Sequence, residues 1–164
     1  MQKKLLIIIP SVVAMAIVAV IAFSLMPAIK TTESETTSLQ YETRKITINN
    51  IPLTVEIADD NEKITKGLMF REGMEEDRGM LFIFEKEHGY QFWMMNMKFN
   101  LDIIWLDANG KVVHIVENAE PCIDAAHSSQ CTYNPDEPAK YVLEVNAGFV
   151  KKHGIDENSI MKFS

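Results

Sequence analysis

Hydrophobic residues are distributed along this chain in two ways. From Leu5 to Met26 they run together without a charged residue, LLIIIPSVVAMAIVAVIAFSLM; from Arg44 onward they recur in short runs, many of them alternating with polar positions. The first run covers 22 positions. At about 1.5 Å per residue it makes a helix of roughly 33 Å, enough to cross a bilayer core. A cleaved signal peptide has an apolar stretch of only about 7–15 residues followed by a small-x-small site. Nothing near Met26-Pro27-Ala28 reads well as such a site. We therefore read residues 5–26 as an uncleaved transmembrane signal anchor, with residues 1–4 in the cytoplasm. Lys3 and Lys4 favour that orientation, although Lys30 weakens the asymmetry. The expected location is the cell membrane, crossed once, with the C-terminal domain outside the cytoplasm.

Residues 27–43 begin PAIKTTESETTSLQ, rich in Thr, Ser and Glu and without apolar periodicity, which reads as a flexible linker. The domain is expected over residues 44–164. KITINN and PLTVEIA alternate on either side of Asn49-Asn50 and form a hairpin-like pair. Asp59 then precedes a short helix, with Glu62 three positions on as in a capping box and Gly67 near its end. GMLFIF, YQFWMM, LDIIWL, KVVHIV, KYVLEV and SIMKF are further strands. In LDIIWLDANGKVVHIV, Asn109-Gly110 supplies the positive φ angles of a tight turn. Ala147 to His153 reads as a second helix stopped by Gly154. The fold class is mainly β (α+β): a compact, barrel-like antiparallel sheet with two short helices, preceded by one transmembrane helix.

Charge changes the picture by exclusion. Residues 31–164 hold 13 basic and 23 acidic residues, a net of −10. That balance argues against nucleic-acid binding and against adsorption to anionic lipid.

Several strings, taken in order, resemble one family: GLMFRE (67–72), RGMLFIF (78–84), FWMMNM (92–97), LDIIWLD (101–107), the pair Cys122 and Cys131, and YVLEVNAG (141–148). The chain over about residues 45–163 is similar to the domain-of-unknown-function family 192. The resemblance implies a small β-rich, barrel-like domain, often found behind a signal sequence or membrane anchor in prokaryotes. It implies no established reaction, cofactor or substrate. Met95 and Met97 stand where members of the family often carry Lys and Thr, so the doubled methionine is not explained by it.

The candidate chemistry starts with FWMMNM. In an extended strand Phe92 and Met94 face one way and Trp93 and Met95 the other, with Met97 at or beyond a bend. A Cu(I) site needs converging thioethers. The strand offers at most Met95 with Met97, and His88 as a nitrogen ligand. The favoured alternative is packing, because methionine fills irregular apolar gaps and contacts aromatic rings.

Cys122 and Cys131 lie nine positions apart in a polar, proline-broken loop. Outside the cytoplasm such thiols oxidise, and the closed loop stabilises by roughly 2–3 kcal/mol. The rival is a metal site with His127, since Cys-x4-His-x3-Cys supplies three ligands. Asp102 in LDIIWL and Glu144 in VLEVN are carboxylates within apolar strands. If those strands pair, the two would share a groove as an acid and a base acting on an envelope glycan. The simpler reading is a solvated face, or hydrogen bonds from Arg71 or Arg78. Arg71 is also a candidate for an anionic ligand. Trp93, Trp105, Tyr133 and Tyr141 beside Asn96 and Asn146 would suit stacking and hydrogen bonding in a pocket. The sequence thus points to a membrane-anchored extracytoplasmic domain that binds a small ligand, glycan or protein partner without a cofactor. Its candidate ligand residues are Arg71, Trp93, Asn96, Asp102, Glu144 and Asn146. The alternatives are the glycan hydrolase using Asp102 and Glu144, and a copper-handling module using Met95, Met97 and His88.

Overall fold

The structure, a computed structural model, describes residues 39–122 and 124–164. The expected membrane anchor, residues 5–26, and the linker up to residue 38 lie outside the described residues. Among the described residues no helix is long and apolar enough to cross a membrane.

The first hairpin pairs β1 (Thr43–Ile48) with β2 (Ile51–Ala58), Ile48 opposite Ile51. Asn49 and Asn50 take φ of 49° and 66°. These are the two left-handed residues that let a two-residue turn follow the strand twist. The folded unit starts before the expected boundary, at Leu39. Tyr41 packs into the structure and Ile57 N–H donates to the Glu42 carbonyl, so these residues are not linker.

β2 is followed by helix α1 (Asn61–Lys66) and then by β3 (Arg78–His88), which lies parallel to β2 with Thr54 opposite Arg78 and Ala58 opposite Phe82. The sheet is therefore mixed, a correction to the antiparallel expectation. The intervening residues 59–77 are long enough for the crossover a parallel pair requires. The cap of α1 is Asp60 rather than Asp59: its carboxylate accepts from Lys63 N–H at 2.8 Å, while Asp59 pairs with the Lys63 ammonium.

The remaining strands are β4 (Phe92–Trp93), β5 (Leu101–Leu106), β6 (Val112–Ala119), β7 (Thr132–Tyr133), β8 (Ala139–Asn146) and β9 (Met161–Phe163). Seven strands form one sheet in the order β6-β5-β8-β3-β2-β1-β9; β4 and β7 make a separate ribbon. The two outer strands meet at one corner. There Met161 N–H donates to the Gly110 carbonyl and Val112 N–H to the Ser159 carbonyl. The sheet is thus curled into a half-barrel with two short helices.

Gly110 makes that corner possible. Only Gly110 in the β5–β6 turn has positive φ, 79°, so Asn109 does not share that conformation as expected. Asp107 accepts from Gly110 N–H through its carbonyl and from the Asn109 and Lys111 N–H groups through its carboxylate. A methyl group on Gly110 would stand 2.4 Å from the Met161 carbonyl oxygen.

Both faces of the sheet are buried. One carries Ile46, Val55, Leu81, Ile104, Leu143 and Val145, closed by helix α2 (Phe149–His153). The other carries Met80, Phe82, Leu101, Ile103, Trp105 and Val142, covered by Leu68 and by the β4–β7 ribbon with its cystine loop. This explains why LDIIWL is buried at every position and does not alternate.

Candidate functional site

Register defines what lies beside what on the second face. One row across β2, β3, β8 and β5 is Ala58, Phe82, Val142 and Trp105, wholly apolar. The next is Glu56, Met80, Glu144 and Ile103. Beyond it come Thr54 opposite Arg78, and Asn146 opposite Leu101. The apolar core therefore passes into a polar corner within two residues along β2 and β8 and within four along β3, while β5 stays apolar.

The segment after α1 folds over this corner. Arg71 reaches Glu56 with both guanidinium nitrogens, Nη1 to Oε1 at 2.6 Å and Nη2 to Oε2 at 2.7 Å. This two-pronged, charge-assisted pair fixes both side chains. Its guanidinium also lies 5.5 Å from the Tyr41 ring centre, and the Tyr41 hydroxyl donates to the Gly67 carbonyl at 3.4 Å. Asn146 Nδ2 donates to the Met74 and Glu75 carbonyls, which pins the segment to β8. Arg78 Nε donates to Glu75 at 3.0 Å. Together Glu56, Arg71, Gly73, Met74, Glu75 and Arg78 line a groove of about 460 Å³.

Glu144 stands apart. It is 5 % exposed, and its carboxyl has no hydrogen-bond partner among the described residues. Neither oxygen is wholly enclosed, so the trace of exposure that remains falls on the carboxyl. Burial pushes its pKa up to about 8, with the nearby Arg71 charge opposing that rise. A carboxyl in this state is protonated at neutral pH.

Asp102 is buried too, but with a different result. The strands of Asp102 and Glu144 do pair, as expected. Ile103, not Asp102, sits opposite Glu144, and Asp102 faces Val145 on the other side of the sheet. The two carboxylates do not share a groove, which removes the acid–base pair proposed for a glycan hydrolase. Asp102 accepts from Asn118 N–H at 2.9 Å and from Val150 N–H at 2.8 Å. It caps α2 from a neighbouring strand, where the helix's own cap position is Gly148 and offers no side chain.

FWMMNM is largely interior. Phe92 and Met94 point inward and Trp93 is half exposed, as alternation predicts. Asn96 takes φ of 59°, and the chain turns so that Met97 packs against the second core; Met95 is not part of it. His88 lies edge-on to Tyr90. Met95, Met97 and His88 thus occupy three different surroundings. Cys122 and Cys131 form a disulfide, while His127 turns to Asp124 at 2.8 Å. That closes the Cys–His–Cys metal alternative. The cystine also clamps β4, since Met94 N–H donates to the Cys131 carbonyl and Cys122 N–H to that of Met94.

Of the pocket aromatics, Trp105 is fully buried with its indole N–H on the Tyr90 carbonyl. Tyr133 packs on the second core and Tyr141 on the first, so they do not form one pocket. Asn96 holds Phe70 N–H through its carbonyl, beside the Arg71 segment but outside the groove lining. Sequence reasoning missed Glu56, the partner of Arg71, and the roles of Tyr41, Met74 and Glu75. The signal for Glu56 was present in PLTVEIA, where it alternates away from Val55 and Ile57.

The fold and groove define a small mixed-sheet half-barrel, buried on both faces and stapled by one disulfide. The chain belongs to the DUF192 family, described as "Uncharacterized ACR", whose profile matches residues 44–163. It is similar to a crystal structure described as a "putative transcription regulator" from Sinorhizobium meliloti 1021. The identity is 32% and the TM-score 0.69, covering 77% of this chain and 97% of that one. It is also similar to a protein of unknown function from Novosphingobium aromaticivorans DSM 12444, at 27% identity and TM-score 0.64, over 78% and 89% of the two chains. No curated protein matches the chain.

Proposed function

We propose that this chain is a ligand-binding domain, held at the outer face of a cell membrane by residues 5–26, that takes a small polar ligand at the Glu56–Arg71–Glu144 corner. The observation that carries this reading is Glu144, more than nine-tenths buried, without a hydrogen-bond partner among the described residues, and close enough to Arg71 of the groove wall to feel its charge. A buried polar group with no partner costs stability. Such a cost persists at functional sites, where a ligand supplies the missing bond. Transcriptional regulation, the description carried by one relative, is not adopted, because residues 31–164 carry a net of −10 and would repel nucleic acid.

Ligand binding raises the melting temperature of a protein by an amount that grows with the logarithm of ligand concentration over Kd. A panel of sugars, amino acids, amines and carboxylates, screened by thermal shift on the full chain in detergent, is expected to yield a stabilising ligand. Arg71→Met should abolish its effect. An equal shift in the variant would move the binding site away from this corner. For the anchor, protease added outside intact cells is expected to release the domain; full protection would contradict the location.

A further inference from the structure

We propose that the Glu144 carboxyl is the receptor for a primary alkylammonium group, carried by a small amine or a lysine-type side chain, that enters beside the Arg71–Glu56 pair. The inference rests on reading this corner as a ligand site and specifies what that site takes.

Four charged side chains and the Glu144 carboxyl meet at the corner. Arg71 is held by both oxygens of Glu56, and Arg78 is held by Glu75. The Arg71 guanidinium is thus neutralised by a two-pronged pair, Arg78 gives its Nε–H to Glu75, and Glu144 is the acid left over. An anionic ligand would have to displace Glu56 from a two-pronged pair with Arg71. A divalent metal needs several ligands, and no cluster of three or more His, Cys, Asp or Glu side chains suited to a metal occurs among the described residues. A single positive charge completes the set.

The shape selects among cations. Only a trace of the Glu144 carboxyl is accessible, and its neighbours on the face are Met80 and Ile103. A planar guanidinium spreads its charge and donors over a wider front than one carboxyl between two apolar side chains offers, and a quaternary ammonium has no N–H to donate. An ammonium on an unbranched alkyl stem is a compact point charge with three donors. Its stem would lie along Met74, at the groove wall.

Binding has a proton signature. At neutral pH Glu144 holds a proton, because burial pushes its pKa up to about 8. The ammonium takes the place of that proton: the carboxyl O–H gives up H⁺ to solvent and the carboxylate accepts from the ammonium. One proton is released for each amine bound. Arg71, on the segment after α1, is the charge that acts on Glu144; Glu56 on β2, Glu75 and Arg78 line the same groove, and the ionisable Tyr41 ahead of β1 adjoins the Arg71–Glu56 pair. The facing residue on β5, Ile103, is apolar.

The test is calorimetry on the full chain in detergent at pH 7, with n-butylamine, Nα-acetyl-lysinamide, n-butanol and butyrate, each in two buffers of different ionisation enthalpy. An amine is expected to bind with close to one proton released, and Glu144→Gln should weaken it at least about 30-fold. The buffer comparison needs no variant, so it stands even if Glu144→Gln folds poorly. Binding of butylamine alone identifies a free amine; binding of the lysinamide alone identifies a side chain; both support the inference. Binding of butanol or butyrate, lost in Arg71→Met and without any amine response, would overturn the ammonium inference and leave the groove standing. Equal amine affinity in wild type and Glu144→Gln would overturn it as well. No response to any of the four up to millimolar concentration would remove both readings.

Discussion

Two carboxylates one residue out of register on neighbouring strands, Asp102 on β5 and Glu144 on β8, have opposite fates. Both are buried. Asp102 accepts two backbone N–H groups from separate elements and ties the end of β6 and the start of α2 to the first core. Glu144 accepts none and lies beside a groove whose guanidiniums are already engaged. Burial alone therefore does not distinguish a structural acid from a functional one. The hydrogen-bond inventory does: a buried acid with its oxygens filled belongs to the fold, and one left empty awaits something else.

The contrast is broken most severely at Asp102. Asp102→Ala strands the buried Val150 N–H, removes the acceptor of the Asn118 N–H and leaves α2 without its cap, and should cost about 4 kcal/mol in urea unfolding. Glu144→Gln should not destabilise at pH 8. Equal losses in the two variants would erase the distinction.

The pH dependence is next. Glu144 has a folded pKa of about 8 against an ordinary 4.5. Below 4.5 both folded and unfolded forms are protonated and the group does not oppose folding. As pH rises through that window the unfolded chain loses its proton while the folded one keeps it, so stability falls until about pH 8. The loss should be on the order of 4 kcal/mol between pH 4.5 and 8, and absent from the difference curve of Glu144→Gln.

Smaller effects follow away from the carboxylates. Replacing Cys122 and Cys131 together by Ser opens a loop of nine positions and should cost roughly 2–3 kcal/mol. Amide exchange at Met94 should accelerate, because its N–H donates to the Cys131 carbonyl. The smallest change is expected at half-exposed Trp93, where Trp93→Ser should stay within about 0.5 kcal/mol of wild type.

What was legible in the sequence follows from the range of the interaction concerned. The Asn49-Asn50 turn, the Gly154 helix stop and the inward Phe92 and Met94 depend on neighbours in the chain, and alternation or turn chemistry reveals them. The disulfide required only two nearby thiols. The facing of Asp102 against Glu144 required the pairing register of β5 with β8, where one residue of offset places the side chains on opposite faces. The parallel β2–β3 pair depended on how a six-residue helix and its flanking loops cross the sheet. Arg71 was visible as a candidate, but its partner Glu56 arrives through that crossover. Met97 returns to the core because Asn96 adopts a left-handed conformation, which a strand pattern cannot signal.

Carbon-13 NMR titration of the Glu144 side-chain carboxyl in the ligand-free chain bears most directly on this account. A midpoint near pH 8 is the predicted result. A midpoint in the ordinary glutamate range, near 4.3, would mean that the carboxyl is solvated or already partnered, and the ligand site built around it would not exist.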